Sequence, residues 1–287
     1  ALLWWWAKRH RGESVSPQIS VAQRSPSTRG QVALVYGIAL GTAAVVIAPL
    51  SALLWRSLTR TTPGATRFTL AGWRAVTSST TLGAISTSTL FALCAMVIAT
   101  VLGLMVALGV AYGSPRFVWL ERISVLPLTV SAVTIGLGIL ITYDTAPYDF
   151  RSTWIITPLA HSLIALPLVV RIVLPVVRQI PRGLQSVAST LGATPLQTWL
   201  TVDRPLMSRA VGASAAIAFA ISIGEFGATS FLTRRSSETL PVTISRLLSR
   251  PGDALRTQAY ALCVIIVVIS MIAIFLIDML RPSRKAK

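Results

Sequence analysis

Acidic residues are scarce in this chain. Nine Asp and Glu stand among 287 residues, against 26 Lys and Arg, and charged residues of both signs amount to 12%. Soluble globular domains carry about 25%, so the composition argues against a water-soluble enzyme or binding module. Disorder is excluded by an apolar fraction of 53%. Cysteine is nearly missing: Cys94 and Cys263 both lie in apolar stretches and read as small buried hydrophobes. With two histidines, His10 and His161, and no CxxC pair, there is no ligand set for a structural zinc or other metal site. Lysine occurs only as Lys8, Lys285 and Lys287, none in the Gly-x-x-x-x-Gly-Lys-Ser/Thr context of a phosphate-binding loop. The net charge of +17 does not imply nucleic acid, because the basic residues sit between apolar runs rather than on a polar domain. That is how membrane-flanking charges are distributed.

What the chain has in quantity is long charge-free apolar runs. They place spans at about 31–55, 82–112, 123–143, 152–170 and 257–277, and a further one at 210–233 that is interrupted only by Glu225. At about 1.5 Å rise per residue, each comes near the ~30 Å of a hydrocarbon core. Alternation over ten-residue blocks is absent, which argues against an outer-membrane barrel. Placing the N-terminal segment in the cytoplasm puts 16 Lys and Arg inside and 10 outside. This modest bias favours both termini cytoplasmic. The expectation is an all-α polytopic membrane protein of six transmembrane helices. Prolines 127, 158, 167 and 241 lie in or beside spans and imply kinks. Tryptophans 4, 5, 6, 55, 73, 119 and 154 lie near span ends, as interfacial anchors do.

The first residues, Ala1 to Trp6 followed by Lys8, Arg9, His10 and Arg11, are apolar first and basic second, the reverse of a signal peptide. They read as the end of a preceding helix, with a polar cytoplasmic linker to about residue 30. The expectation is that the chain is the rear part of a longer membrane protein. Residues 281–287 form a basic cytoplasmic tail.

The segment between the fourth and fifth spans, 178–209, is too long for a simple connection. Leu184, Val187, Ala188 and Leu191 recur at helical spacing. Gly192 breaks that helix and Thr194-Pro195 starts another, giving a protruding cytoplasmic knob. This stretch resembles the EAA loop of ABC importer permeases: Glu-Ala-Ala, three residues, Gly, nine residues, Ile-x-Leu-Pro. The matching positions are Ser186, Val187, Ala188, Gly192, Val202, Arg204 and Pro205, with Ser186 in place of the Glu and Arg204 in place of the Leu. Leu126-Pro127 with Val130, Val133, Gly136 and Gly138 is similar to the third span of these permeases. Ala160-His161-Ser162 through Arg178 runs into the loop as it does in that family. Residues 223–228, with Thr239-Leu-Pro-Val242 and Arg250-Pro-Gly252, look like the subgroup importing ferric iron or thiamine. The resemblance covers about residues 30–280.

The resemblance implies a MetI-like permease domain in the cell membrane that forms the pathway for a solute, most of all ferric iron or thiamine. Sulfate, molybdate, polyamine or phosphonate are the alternatives within the class, and a secondary transporter the alternative outside it. It implies a cytoplasmic ABC ATPase dimer as partner, with ATP-Mg bound there and no cofactor in this chain. It further implies an external substrate-binding protein and a second permease half, which is the preceding half of the same polypeptide or a homologous copy. Ser186, Val187, Ala188, Gly192, Ala193, Val202, Arg204 and Pro205 are then the ATPase-coupling residues.

Glu225 is the one acidic residue inside an expected span, so it must face protein or water. It reads either as a pathway or gating group or as a structural carboxylate. Gly224 and Gly227 beside it allow an unwound or closely packed helix. His161 reads as a pathway group or as a packed, hydrogen-bonded histidine. The Ser and Thr residues of 77–89 line a polar path or satisfy their own backbone.

Overall fold

The computed structural model describes residues 28–62, 65–143, 153–234 and 237–279. The Trp-rich start and the basic tail therefore lie outside the described residues. The chain divides at Leu50–Ser51 into two units. The first contributes most of helix α1 (Arg29–Leu58), which is apolar on every side and exposed at every position of 33–50. A helix apolar all round belongs in a core or a bilayer, and its 30 residues reach about 45 Å.

The second unit opens on a two-stranded antiparallel hairpin, β1 (Thr59–Thr62) and β2 (Ala65–Phe68). Helices α2 (Ala71–Val76) and α3 (Ser79–Tyr112) follow. Then come α4 (Val118–Val125), α5 (Ala132–Thr142), α6 (Ile156–Arg178), α7 (Arg182–Thr190) and α8 (Pro195–Thr198). A π turn (Trp199–Asp203) leads into α9 (Arg204–Ile223), and α10 (Thr229–Leu232), α11 (Leu240–Leu248) and α12 (Asp253–Met279) complete the unit. Among the described residues five helices are long and apolar enough to cross a membrane, or six if a pair bent by 99° counts as one. Among the described residues the hairpin is the one departure from an all-α architecture.

At the centre α3, α6 and α9 pack against one another. Lipid tails are as apolar as leucine, so close van der Waals packing, not burial from water, holds such helices together. α3 supplies a stripe of small buried residues, among them Ala84, Ala92, Ala95, Ala99, Gly103 and Ala107. A Cβ on Gly103 would lie 2.5 Å from Val169 Cγ1, so this glycine is where α6 touches α3. Val169, Val170, Val173, Leu174 and Val177 fill the seam from α6. α12 leans on α2, α9 and α11.

Three spans depart from the sequence expectation. The third, expected as one helix over 123–143, is broken: a 3-10 turn at Leu126–Thr129 carries Pro127, Val130 and Ser131 are extended, and α5 leaves at 99°. Proline lacks the N–H needed to continue the ladder. The fourth runs to Arg178 rather than 170, straight through Pro167 and Pro175. The fifth, expected over 210–233, lies at Pro195–Ile223. Val202, Arg204 and Pro205 are therefore helical rather than in a loop. The π turn explains this: Arg204 N–H bonds to Trp199 C=O five residues back, and the next residue, which has no N–H to give, is Pro205.

Candidate functional site

Two groups of sequence-derived residues lie at opposite ends of α9, about 30 Å apart. The first is the turn between α6 and the fifth span. α7 ends with Gly192 at φ +83, a left-handed conformation that favours glycine. Gly192 N–H bonds to Ser189 C=O and Ala193 N–H to Ala188 C=O, each at 3.0 Å. This double bond pattern is a Schellman motif, which satisfies the carbonyls left over at a helix end. Two residues later Thr194 caps the next helix. Its Oγ1 accepts from Gln197 N–H at 3.3 Å, and its own N–H donates to Gln197 Oε1 at 2.8 Å, with Pro195 at the first helical position. Both ends of the knob are thus fixed by local hydrogen bonds.

The knob shows its apolar side to solvent. Leu191 is 81% exposed, Leu196 66% and Val187 58%, and Leu184 is exposed with them. Ser186, Gly192, Arg204 and Pro205 are also exposed, while Ala188, Ala193 and Val202 are half-buried. The buried side is polar. Gln185 Nε2 donates to Asp203 Oδ1 at 2.9 Å, and Tyr112 at the end of α3 lies beside this pair, close enough to interact with both. Asp203 is buried. An open cavity of about 770 Å³ lies behind the knob, lined by Tyr112, Gln185, Ser189, Thr198 and Trp199 among others. Nearby, Arg178 forks onto Glu121, Nη2 to Oε2 at 2.6 Å and Nη1 to Oε1 at 3.3 Å, tying α6 to α4.

The second group surrounds Glu225, just beyond the far end of α9. The carboxylate is buried and caps the turn that leads into α10. Oε1 accepts from Ala228 N–H at 2.9 Å, and Oε2 accepts from Thr229 N–H at 3.0 Å and from Thr229 Oγ1 at 2.7 Å. His161, also buried, reaches across from α6. Its Nε2 lies 2.6 Å from Thr229 Oγ1 and 3.3 Å from Glu225 Oε2, and its Nδ1 lies 2.7 Å from Ser222 Oγ. Thr229 has one hydroxyl proton and gives it to Glu225. The imidazole therefore carries a proton on Nε2, directed at Thr229 Oγ1, and Nδ1 pairs with the Ser222 hydroxyl. Every polar atom of the four side chains is then partnered.

The two glycines beside Glu225 differ in role. A Cβ on Gly227 would sit 3.1 Å from Ala132 Cβ and from Val133 N, so this turn presses on α5. Gly136 makes the same contact from the other side, 2.5 Å from Ala228 Cα. Gly224 has no such neighbour and closes α9 at φ −92. The hydroxyls of Ser86 and Thr89 donate to carbonyls three and four residues back, so these two serve their own helix. Among the described residues no cluster of three His, Cys, Asp or Glu could hold a metal.

Tyr112, Gln185, Asp203, Ser222 and Thr229 were not singled out by sequence reasoning. Asp203 had a signal: it is an acidic residue in an otherwise acid-free stretch from 150 to 224. Ser222 had none, since its role comes from the tertiary approach of α6, whereas Thr229 serves Glu225 four residues away as well as His161.

Residues 99–286 match the family described as the binding-protein-dependent transport system inner membrane component. The chain is 30% identical over 218 residues to a putative 2-aminoethylphosphonate transport system permease protein of Salmonella typhimurium, covering 76% of each. It is 28% identical over 220 residues to the sulfate transport system permease of the same organism, covering 73% of this chain and 79% of that one. It is 30% identical over 176 residues to the molybdenum transport system permease of Haemophilus influenzae, covering 56% of this chain and 76% of that one.

Proposed function

This chain belongs to the family of binding-protein-dependent transport inner-membrane components, and from that premise we propose how its parts carry a solute inward. It is a multi-pass cell-membrane permease subunit of an ABC importer, and its family is a transport subunit rather than an ATPase.

The carrying observation is the exposed apolar row on a knob whose ends are both capped. Leu184, Val187, Leu191 and Leu196 gain nothing by facing water. Covering each is worth roughly 1.5–3 kcal/mol before the costs of association. The proposed cover is a cleft of the cytoplasmic ABC ATPase dimer, where ATP-Mg is bound. Gly192 and Ala193 let the knob approach closely, with Ser186, Val187 and Ala188 on its docking helix. Val202, Arg204 and Pro205 lie where the knob passes into the fifth span. Gln185, Asp203 and Tyr112 form the latch behind it. ATPase closure then pushes on α7 and is transmitted through the latch to α3 and α9 as rigid-body motion. Co-purification with the ATPase, lost on Leu191→Glu, tests this reading.

For the solute we propose an oxyanion of the phosphonate, sulfate or molybdate kind. Permeases with those names match over more than half of this chain, whereas the ferric iron or thiamine reading rested on short stretches at 223–252. Most specificity lies in an external binding protein, and a second permease half completes the pathway. Glu225 acts as the cap of the 225–229 turn and holds the outer end of the fifth span against α5 and α6. Uptake of labelled 2-aminoethylphosphonate, sulfate and molybdate, beside ferric iron and thiamine, in cells with and without the intact locus decides the solute.

A further inference from the structure

The end of the bundle away from the knob carries basic residues that neither the coupling nor the capping chemistry uses. No acidic residue occurs from 14 to 120, yet Arg56, Arg60, Arg67 and Arg74 fall within 19 residues there. In the hairpin Arg60 lies directly opposite Arg67, a like-charge pairing that is unfavourable in a strand ladder. On the orientation given by the Lys and Arg counts, this end is extracytoplasmic, where Arg residues are ordinarily avoided.

A pocket of about 350 Å³ opens at this end, lined by Arg56, Thr59, Asp253, Arg256, Thr257 and Tyr260. Its floor is rigid. Thr59 and Thr257 are buried, and a Cβ on Gly72 would lie 2.6 Å from Thr257 C=O, so α2 is pressed against α12 here. Both threonine hydroxyls are spent on backbone, Thr59 on Trp55 C=O and Thr257 on Asp253 C=O, each at 2.8 Å. The donors left for a ligand are on the rim. Arg56 uses one N–H on the Tyr260 hydroxyl at 3.3 Å, and its guanidinium lies 5.8 Å from the ring centroid, which orients it and leaves the phenol proton free to donate. Arg256 has no side-chain hydrogen bond or ion pair among the described residues. Asp253 and Arg256 stand in the first turn of α12, whose N-terminal end favours negative charge. The lining carries two positive charges against one.

We infer that this pocket binds a tetrahedral oxyanion through Arg56, Arg256 and Tyr260. Two sources share that chemistry: the phosphodiester of a phospholipid headgroup and a free phosphate or sulfate. Trp55 is 63% exposed beside the pocket and Trp73 Nε1 donates to Ser57 Oγ at 3.3 Å, so two indoles mark the headgroup level. The inference needs only the membrane-spanning fold and does not depend on how the knob is used.

The test uses the assembled importer with its ATPase. Native mass spectrometry measures retained phospholipid, and equilibrium dialysis of the delipidated complex with labelled orthophosphate and sulfate measures free oxyanion. The double variant Arg56→Gln/Arg256→Gln is expected to lose one of these ligands by about tenfold or more. Asp253→Asn removes the single opposing carboxylate and is expected to bind several-fold tighter, a sign that misfolding does not produce. Lipid loss without orthophosphate binding assigns the headgroup; orthophosphate competing with sulfate assigns a free ion. Equal retention in parent and double variant in both arms, or weaker binding by Asp253→Asn, would overturn the proposal.

Discussion

Glu225 illustrates how one carboxylate can be tolerated at the end of an apolar helix. Its two oxygens take the N–H groups of Ala228 and Thr229, and the Thr229 hydroxyl completes the set. Glu225→Gln turns one acceptor into a donor, which then faces the N–H of Ala228 or of Thr229. A buried polar group without a partner costs about 1–3 kcal/mol. The expected result is a lower unfolding temperature of the purified subunit and reduced uptake, with the partner ATPase still bound. Unchanged stability and uptake would remove the capping role. Gly192 is the other decisive residue. Its φ of +83 costs an L residue about 1–2 kcal/mol, and β-branched side chains suffer most. Gly192→Val is expected to leave insertion in the membrane intact while the ATP hydrolysed per solute imported rises, measured in proteoliposomes. A coupling ratio equal to the parent's would contradict the assignment. At this scale the sequence was partly legible. Gly192, Thr194 and Pro195 announce their turn through local chemistry. His161 and Glu225 stood out as rare polar groups, but the partners of His161, Ser222 and Thr229, are 61 and 68 positions from it, so that the pairing across helices left no local trace.

Elements show where pattern reading works and where it stops. Charge-free runs found the apolar helices, because length and hydropathy alone make a span. The 99° break before α5 was legible only as the kink that Pro127 implied, and the π turn before Pro205 left no signal in those runs. The hairpin was also hidden: its four-residue strands, Thr-Arg-Thr-Thr and Ala-Thr-Arg-Phe, are too short and polar to show an apolar alternation. The element that carries most of the proposed mechanism is α7. Its exposed Leu184 and Val187, with Leu191 just beyond its end, make the proposed docking side, and its Gln185 donates to Asp203 in the proposed latch. Asp203→Asn still offers an acceptor to Gln185, whereas Asp203→Leu offers none and strands the amide. The account expects Asp203→Leu to lower uptake while ATP hydrolysis continues, and Asp203→Asn to restore most of the coupling. Equal defects in the two variants would mean that the site needs its charge and not its hydrogen bond. Arg178 and Glu121, each partly exposed, contribute less: such a pair is worth about 0–1 kcal/mol, so Glu121→Gln should change stability little in thermal unfolding.

For the molecule as a whole, the shortage of acid and the surplus of apolar residues already specified a membrane protein, and one loop specified its class. The solute was not legible in the same way. Short likenesses at 223–252 pointed to ferric iron or thiamine, yet the residues there, Glu225 above all, are engaged in holding a turn. A local motif that serves packing carries no information about cargo. The solute must instead be sought in the binding protein and in side chains spread over several helices. The most direct measurement is ATP-driven uptake by proteoliposomes holding this chain with its second half, its ATPase and its binding protein. The expected result is uptake of an oxyanion that requires ATP, with Leu191→Glu abolishing both the uptake and the retention of the ATPase. Uptake driven by an ion gradient without ATP, or undiminished by Leu191→Glu, would contradict it.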